Sequence, residues 1–120
     1  GWRIDDCALS VLVTVVSTTV FGQIIVDGGI KTFANDLLDY DGMQGHAWCR
    51  DDPGLEFSRT SEEHGIISLA RAKLPHNIGE RLHFIPNRVG LVVNLHERLY
   101  GVRNGMVEVV WTISGRGKLQ

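Results

Sequence analysis

Five histidines, His46, His64, His76, His83 and His96, are the first residues to weigh for metal or acid–base work. None forms an HxH or HxxxH pair, so no local zinc signature is present. Glu62-Glu63-His64-Gly65 sets two carboxylates beside an imidazole, a group able to move a proton or hold a cation. Charges before a strand also make an ordinary solvated turn. On an extended chain, Glu62 and His64 share one side and Glu63 takes the other.

Lys31 follows Asp27-Gly28-Gly29. A Schiff-base role would require a desolvated lysine of depressed pKa beside a cradle for a cofactor phosphate. The sequence shows neither, and a surface lysine is expected. Asp27 itself stands where a strand runs into permissive backbone, a common place for a functional carboxylate. The plainer reading is a turn in which Asp27 accepts local amides. Pro86-Asn87-Arg88 closes another strand. Arg88 could grip a carboxylate or phosphate with its planar fork, or pair with Glu80 or Glu97. No nucleophile elbow, P-loop or GxGxxG occurs. Cys7 and Cys49 stand far apart with no CxxC, which argues against a zinc site or disulfide framework. Small buried thiols in a reducing cytoplasm are expected, with a single disulfide as the other reading.

The elements that must position these groups are short strands. Glycine occupies 14 of 120 positions, above the usual ~7%, and valine and isoleucine are abundant. Ala8 to Thr18 is β-branched throughout and reads as a strand buried on both faces. Further strands are expected at Gln23–Val26, Gly45–Trp48, Leu55–Thr60, Gly65–Ala70 and Arg81–Ile85. Phe33 to Leu38 reads as short helix or irregular chain, and Val89 to Val93 as an apolar loop. Asn104-Gly105 predicts a two-residue type I′ turn between Arg98–Arg103 and Met106–Ile113. That hairpin would pair Tyr100 with Val109, Val102 with Val107 and Arg98 with Trp111. Tyr100, Val102, Val107, Val109 and Trp111 would then face the core, with Arg98 over the Trp111 ring. Glu108 and Arg103 would take the wetter face. The fold class expected is mainly β, a single-domain barrel or sandwich over residues 1–120 with little helix.

Composition narrows the function classes. Hydrophobic residues make up 43% and charged ones 22%, with a net charge of -2. Neither nucleic acid nor an anionic membrane is expected as a partner. The apolar run from Ala8 to Val20 is too short to span a bilayer and lacks signal-peptide features, so a cytoplasmic location is expected.

Several stretches, taken in order, resemble one family. The run from Asp6 to Ser17 is similar to its entry into a C-terminal domain. Val26-Asp27-Gly28-Gly29-Ile30-Lys31 is similar to its strand-end DAGSK pattern, and Ser61-Glu62-Glu63-His64-Gly65 matches its SEEHG motif. Gly79-Glu80-Arg81, Ile85-Pro86-Asn87 and Val92-Val93-Asn94-Leu95 resemble its GD and PNHxCxxVNL segments. Trp111 with Gly115-Arg116-Gly117 is similar to its closing residues. The set resembles the C-terminal β domain of the D-threonine aldolase/D-serine dehydratase family. Its members are alanine-racemase-like, fold-type III enzymes that use pyridoxal phosphate and a divalent metal, zinc or manganese. They cleave β-hydroxy-D-amino acids or dehydrate D-serine. The resemblance implies that the cofactor lysine lies in an N-terminal barrel, for which these 120 residues have no room, since ~250 are typical.

The departures bear on function as much as the matches. The family's metal-binding His and Cys or Asp correspond to Arg88 and Gly90, which offer no ligand. The resemblance therefore implies no catalytic, cofactor or metal residue here. His64, Glu63, Asn87, Arg88 and Asn94 remain as possible ligand or interface residues, with Arg88 suited to a carboxylate-bearing small molecule. Three readings follow. One is a non-catalytic module that self-associates or binds a partner, with Val89–Val93 as its apolar edge. Another is the accessory half of a lyase whose barrel is encoded separately, and a third is a small-molecule carrier.

Overall fold

β-Branched side chains stiffen the chain and pack well on a pleated surface, and they mark most of the strands observed. The computed structural model describes residues 6–40 and 42–116; Gly117 of the closing motif lies outside the described residues. Strands β1 (Val11–Ser17), β2 (Gln23–Val26), β5 (Ala47–Cys49), β6 (Glu56–Thr60), β7 (Gly65–Ser68) and β8 (Arg81–Pro86) form a closed barrel in the order β1-β2-β7-β6-β5-β8. All six neighbouring pairs are antiparallel. Closure removes the free edges that an open sheet would present. The remaining elements are α1 (Ile30–Phe33), β3 (Leu38–Tyr40), β4 (Met43–Gly45), α2 (Val89–Asn94), β9 (Arg98–Arg103) and β10 (Met106–Thr112). Among the described residues no helix is long and apolar enough to cross a membrane.

The barrel interior is filled by alternate side chains. Val13, Val15, Ile24, Val26, Phe57, Ile67, Leu82 and Phe84 are buried. Phe57 packs edge-on against Phe33 and Phe84, with ring centroids 5.1 and 5.4 Å apart, an arrangement aromatic quadrupoles favour. Gly65 supplies the room, since a Cβ there would run into the Phe57 ring.

Strand ends sort into two sets. One end carries the start of β1, the Asp27-Gly28-Gly29 segment, α1, the Ser61–His64 turn and α2. The other carries the turns 18–22 and 50–55 and the long loop 69–80. The sequence-predicted site residues all belong to the first.

Five expectations are corrected. β1 is buried on one face only, with Leu12 and Val16 exposed, because a single-layer barrel has an outside as well as an inside. The helical stretch begins at Ile30, ahead of the expected Phe33 to Leu38. His46 breaks the expected Gly45–Trp48 strand into β4 and β5. Val89–Asn94 is a helix, not a loop. Finally, the hairpin turns at Asn104-Gly105 as expected, with φ of 53° and 77°, and Val107 lies opposite Val102. A bulge at Glu108 then slips the register, so Val109 faces Gly101 and Trp111 faces Leu99. Arg98 consequently sits opposite Thr112 rather than Trp111. The supposed core face is exposed, with Tyr100 at 53%, Val102 at 62% and Trp111 at 51%. Arg103 and Glu108 do meet, in an ion pair at 3.2 Å.

Candidate functional site

The Asp27-Gly28-Gly29 and Ser61–Gly65 segments are two halves of one junction. The Ile30 amide donates to the Ser61 carbonyl (2.9 Å) and the Lys31 amide to that of Glu62 (3.2 Å). Gly29 is required here, because a Cβ would collide with the Ser61 and Glu62 carbonyls and the His64 amide. Ser61 closes its own turn: its amide donates to the His64 carbonyl (2.8 Å), and its Oγ accepts the His64 amide (3.2 Å). Asp27 Oδ1 accepts the Thr14 amide at 2.8 Å. It therefore ties β2 to β1 across the sheet, where local amides were expected.

Lys31 is a surface lysine, as expected, with Nζ 2.6 Å from Glu63. Hydrogen bonding to Glu63 and its charge push the Lys31 pKa up, the reverse of what an imine-forming lysine needs. His64 is exposed. The Glu-Glu-His cluster works as a docking turn, with Glu63 as its ionic contact.

Asn87 and Arg88 converge on Asp36, just past α1. Asn87 Nδ2 donates to the carbonyls of Asp36 (2.9 Å) and Gly45 (3.0 Å). His46 Nδ1 donates to the same Asp36 carbonyl at 3.1 Å. Arg88 Nε lies 2.8 Å from Asp36 Oδ2, a buried oxygen with no aligned hydrogen bond, so the guanidinium charge is what offsets it. Glu80 and Glu97, the partners first considered for Arg88, are not involved. Asn94 is exposed at the far end of α2. The five candidates thus do not form one pocket. Glu63 meets the start of the segment 29–36 through Lys31, His64 bonds only within its own turn to Ser61, Asn87 and Arg88 hold the segment's end, and Asn94 stands apart.

The metal implied by the family resemblance does not fit these residues. Arg88 is a cation already engaged with Asp36, and a side chain at Gly90 would point into open space. Among the described residues no group of three His, Cys, Asp or Glu side chains is placed to hold a metal ion. Cys7 and Cys49 are free, and burial pushes the Cys49 thiol up to about 11, so it is a packed hydrophobe rather than a ligand.

Sequence reasoning missed the most buried polar cluster, at the opposite barrel end. The Asp52 and His76 side chains are 0% and 1% exposed. Asp52 accepts from His76 Nε2 (2.9 Å) and from the amides of Gly54, Lys73 and Leu74. His76 Nδ1 meets Glu80 Oε2 at 3.0 Å. Burial would raise the Asp52 pKa, but the bonds from His76 and the three amides outweigh it and hold the carboxyl below its ordinary value. Burial likewise lowers the His76 pKa, yet bonds to Asp52 and Glu80 carry it above normal. The Asp-Pro-Gly turn at Asp52 was a visible signal for an amide-accepting carboxylate. Nothing local tied it to a histidine 24 residues away.

A family profile described as "Putative serine dehydratase domain" matches residues 8–102. D-threonine aldolase of Arthrobacter sp is 32% identical over 110 residues, which cover 92% of this chain and 27% of that protein. Uncharacterized protein Rv1414 of Mycobacterium tuberculosis is 31% identical over 118 residues, covering 94% of this chain and 86% of that protein. The crystal structure of D-threonine aldolase from Filomicrobium marinum matches with a TM-score of 0.76 at 32% identity, over 92% of this chain and 29% of that one. The chain therefore spans less than a third of either aldolase's length, and its mainly-β barrel matches the β domain of that fold.

Proposed function

The chain belongs to the serine dehydratase domain family, and from that premise we propose that it is a non-catalytic β domain which binds rather than turns over. The observation that carries this reading is the Arg88–Asp36 pair. At the position where the resemblance puts a metal-binding histidine, a guanidinium is committed to a carboxylate, and Gly90 offers nothing two residues later. Neither pyridoxal phosphate nor a divalent metal is needed by these residues. The exposed apolar hairpin β9–β10 is the surface offered for self-association or for a protein partner. The two free thiols suit a reducing cytoplasm. This chain matches 86% of the length of Rv1414, so in that protein the domain makes up most of the sequence.

Light scattering with pyridoxal phosphate and Zn²⁺ added separately tests the proposal. A stable dimer or larger oligomer that ignores both supports it; stoichiometric uptake of either overturns it. A second reading draws on the 27% coverage of the D-threonine aldolase relative: an accessory half that completes the active site of a separate barrel. It requires D-threonine cleavage to appear only when the two proteins are mixed.

A further inference from the structure

A cleft lies away from the five candidates above. It is a space of about 770 Å³ between the barrel wall at β1 and β8, helix α2 and the hairpin. We infer that this cleft is a binding site for a small amphipathic organic anion, its acidic head held by Arg50 and Arg98 and its apolar body laid along the hairpin.

Charge is the first argument. Arg50 and Arg98 both line the cleft, and Asp27 is the single carboxylate among its lining residues. Asp27 already accepts the Thr14 amide. Neither arginine has an ion-pair partner among the described residues. Among the lining residues two guanidiniums stand against one carboxylate, on a chain whose net charge is -2, and the neighbouring Asp51 carboxylate is engaged by His83, an arrangement that favours an anion at this place.

Two histidines supply the second. His83 Nδ1 faces Asp51 at 3.2 Å, and the His83 amide donates to the same carboxylate at 2.5 Å. The ring is thereby fixed with Nδ1 as donor, leaving Nε2 without a partner among the described residues. His96 repeats the pattern, Nδ1 donating to the Val92 carbonyl at 2.7 Å. Both rings line the cleft, so each neutral ring presents an Nε2 acceptor that a hydroxyl or N–H beside the ligand's acidic head can meet. The Arg50 amide bonds to the His83 carbonyl at 2.9 Å, which sets that arginine beside the first ring.

The rest of the wall is apolar, with Leu12, Val93, Leu99 and Val102 among its residues. Inorganic phosphate or another bare ion would leave that wall unused. A ligand with an acidic head and an aliphatic or aromatic body uses both parts. Arg88, the earlier candidate for such a head, is engaged by Asp36.

The test is a titration followed by amide NMR, with hexanoate, hexanol and inorganic phosphate as probes. Hexanoate should bind tightest and shift the amides of Arg50, His83, His96 and Leu99. Arg50→Gln with Arg98→Gln should weaken hexanoate at least tenfold, as loss of charge-assisted bonds requires. Arg59→Gln, an exposed position of β6 outside the cleft, should leave it unchanged. Equal binding of hexanol would remove the cationic head site. Equal binding of phosphate would remove the apolar part, and shifts centred on Arg88 would overturn the location. The arginines are exposed, so the double variant should fold, and the wild-type shift map decides the location independently of it.

Discussion

His76 has a carboxylate on each ring nitrogen, Asp52 at Nε2 and Glu80 at Nδ1. Carboxylates only accept, so both nitrogens must donate and the ring is held as imidazolium. Its folded-state pKa is raised above the ordinary 6.5. The stability it contributes is therefore fully present below about pH 6.5 and is lost as pH rises through the folded value. Asp52 runs the other way: its pKa is lowered from 3.8, so its contribution is complete above that value and is lost as pH falls through the folded one. Between those two ordinary values both are present in full. We expect the melting temperature to hold across that window and decline on its alkaline side. His76→Gln should flatten the alkaline decline and cost about 1.5–3 kcal/mol at pH 6, the worth of a hydrogen bond to a charged group. An unchanged alkaline slope in that variant would assign the titration elsewhere. Two glycines give opposite signs at the same scale. A Cβ on Gly54 would meet the Arg71 carbonyl, so Gly54→Ala should destabilise by about 1–3 kcal/mol. Gly90 lies within α2 with open space around it, so Gly90→Ala should stabilise by about 0.5–1 kcal/mol. Urea unfolding of the two variants checks both.

Elements differed in how legibly the sequence announced them. Barrel strands were readable because runs such as Gln23–Val26 and Gly65–Ser68 combine β-branched residues with glycine-rich boundaries. Helix α2 was not. Its valines and Gly90 are weak helix formers, and Arg88 gives no side-chain cap. It is helical because Val92 is buried, a tertiary contact with no local signature. The Glu108 bulge was hidden for a similar reason, though Gly101 was a clue. A side chain there would strike Val109 and the Trp111 ring, and glycine inside a strand often marks such a close approach. Of the candidate site, the Gly28-Gly29 and Ser61–His64 motifs were legible as motifs, but not their contact with one another. Asp36 escaped notice because its partners Asn87 and Arg88 lie about fifty residues on. The same helix start carries a test of the metal argument. Arg88→His with Gly90→Cys replaces the guanidinium and the missing side chain with an imidazole and a thiol two residues apart. A Co²⁺ titration should show a thiolate-to-metal absorption band in the double variant and none in the wild type. A band in the wild type would mean that Arg88 is not the obstacle.

At the scale of the molecule, the barrel closes on itself while the hairpin does not. Strands β9 and β10 form a separate two-stranded sheet, and isolated hairpins of that kind are marginal in water. This one nevertheless exposes large apolar side chains on both faces, Val102 and Val107 toward the cleft and Met106, Val109 and Trp111 on the other. Water is a poor neighbour for so much contiguous apolar surface, and such patches usually mark a contact with another chain. A second copy is the partner always available at the protein's own concentration, and a symmetric dimer would let one apolar patch satisfy its twin. Met106→Lys with Trp111→Lys sets two like charges on the other face, outside the cleft lining. If copies meet there, the variant should sediment as a monomer where the wild type is a dimer. Because both residues are exposed, the folded monomer should lose only about 0.5 kcal/mol. A wild type that is monomeric at high concentration would remove self-association and leave the hairpin for a different protein. A variant that stays dimeric would move the interface to α2, where Val89 and Leu91 are the exposed apolar residues.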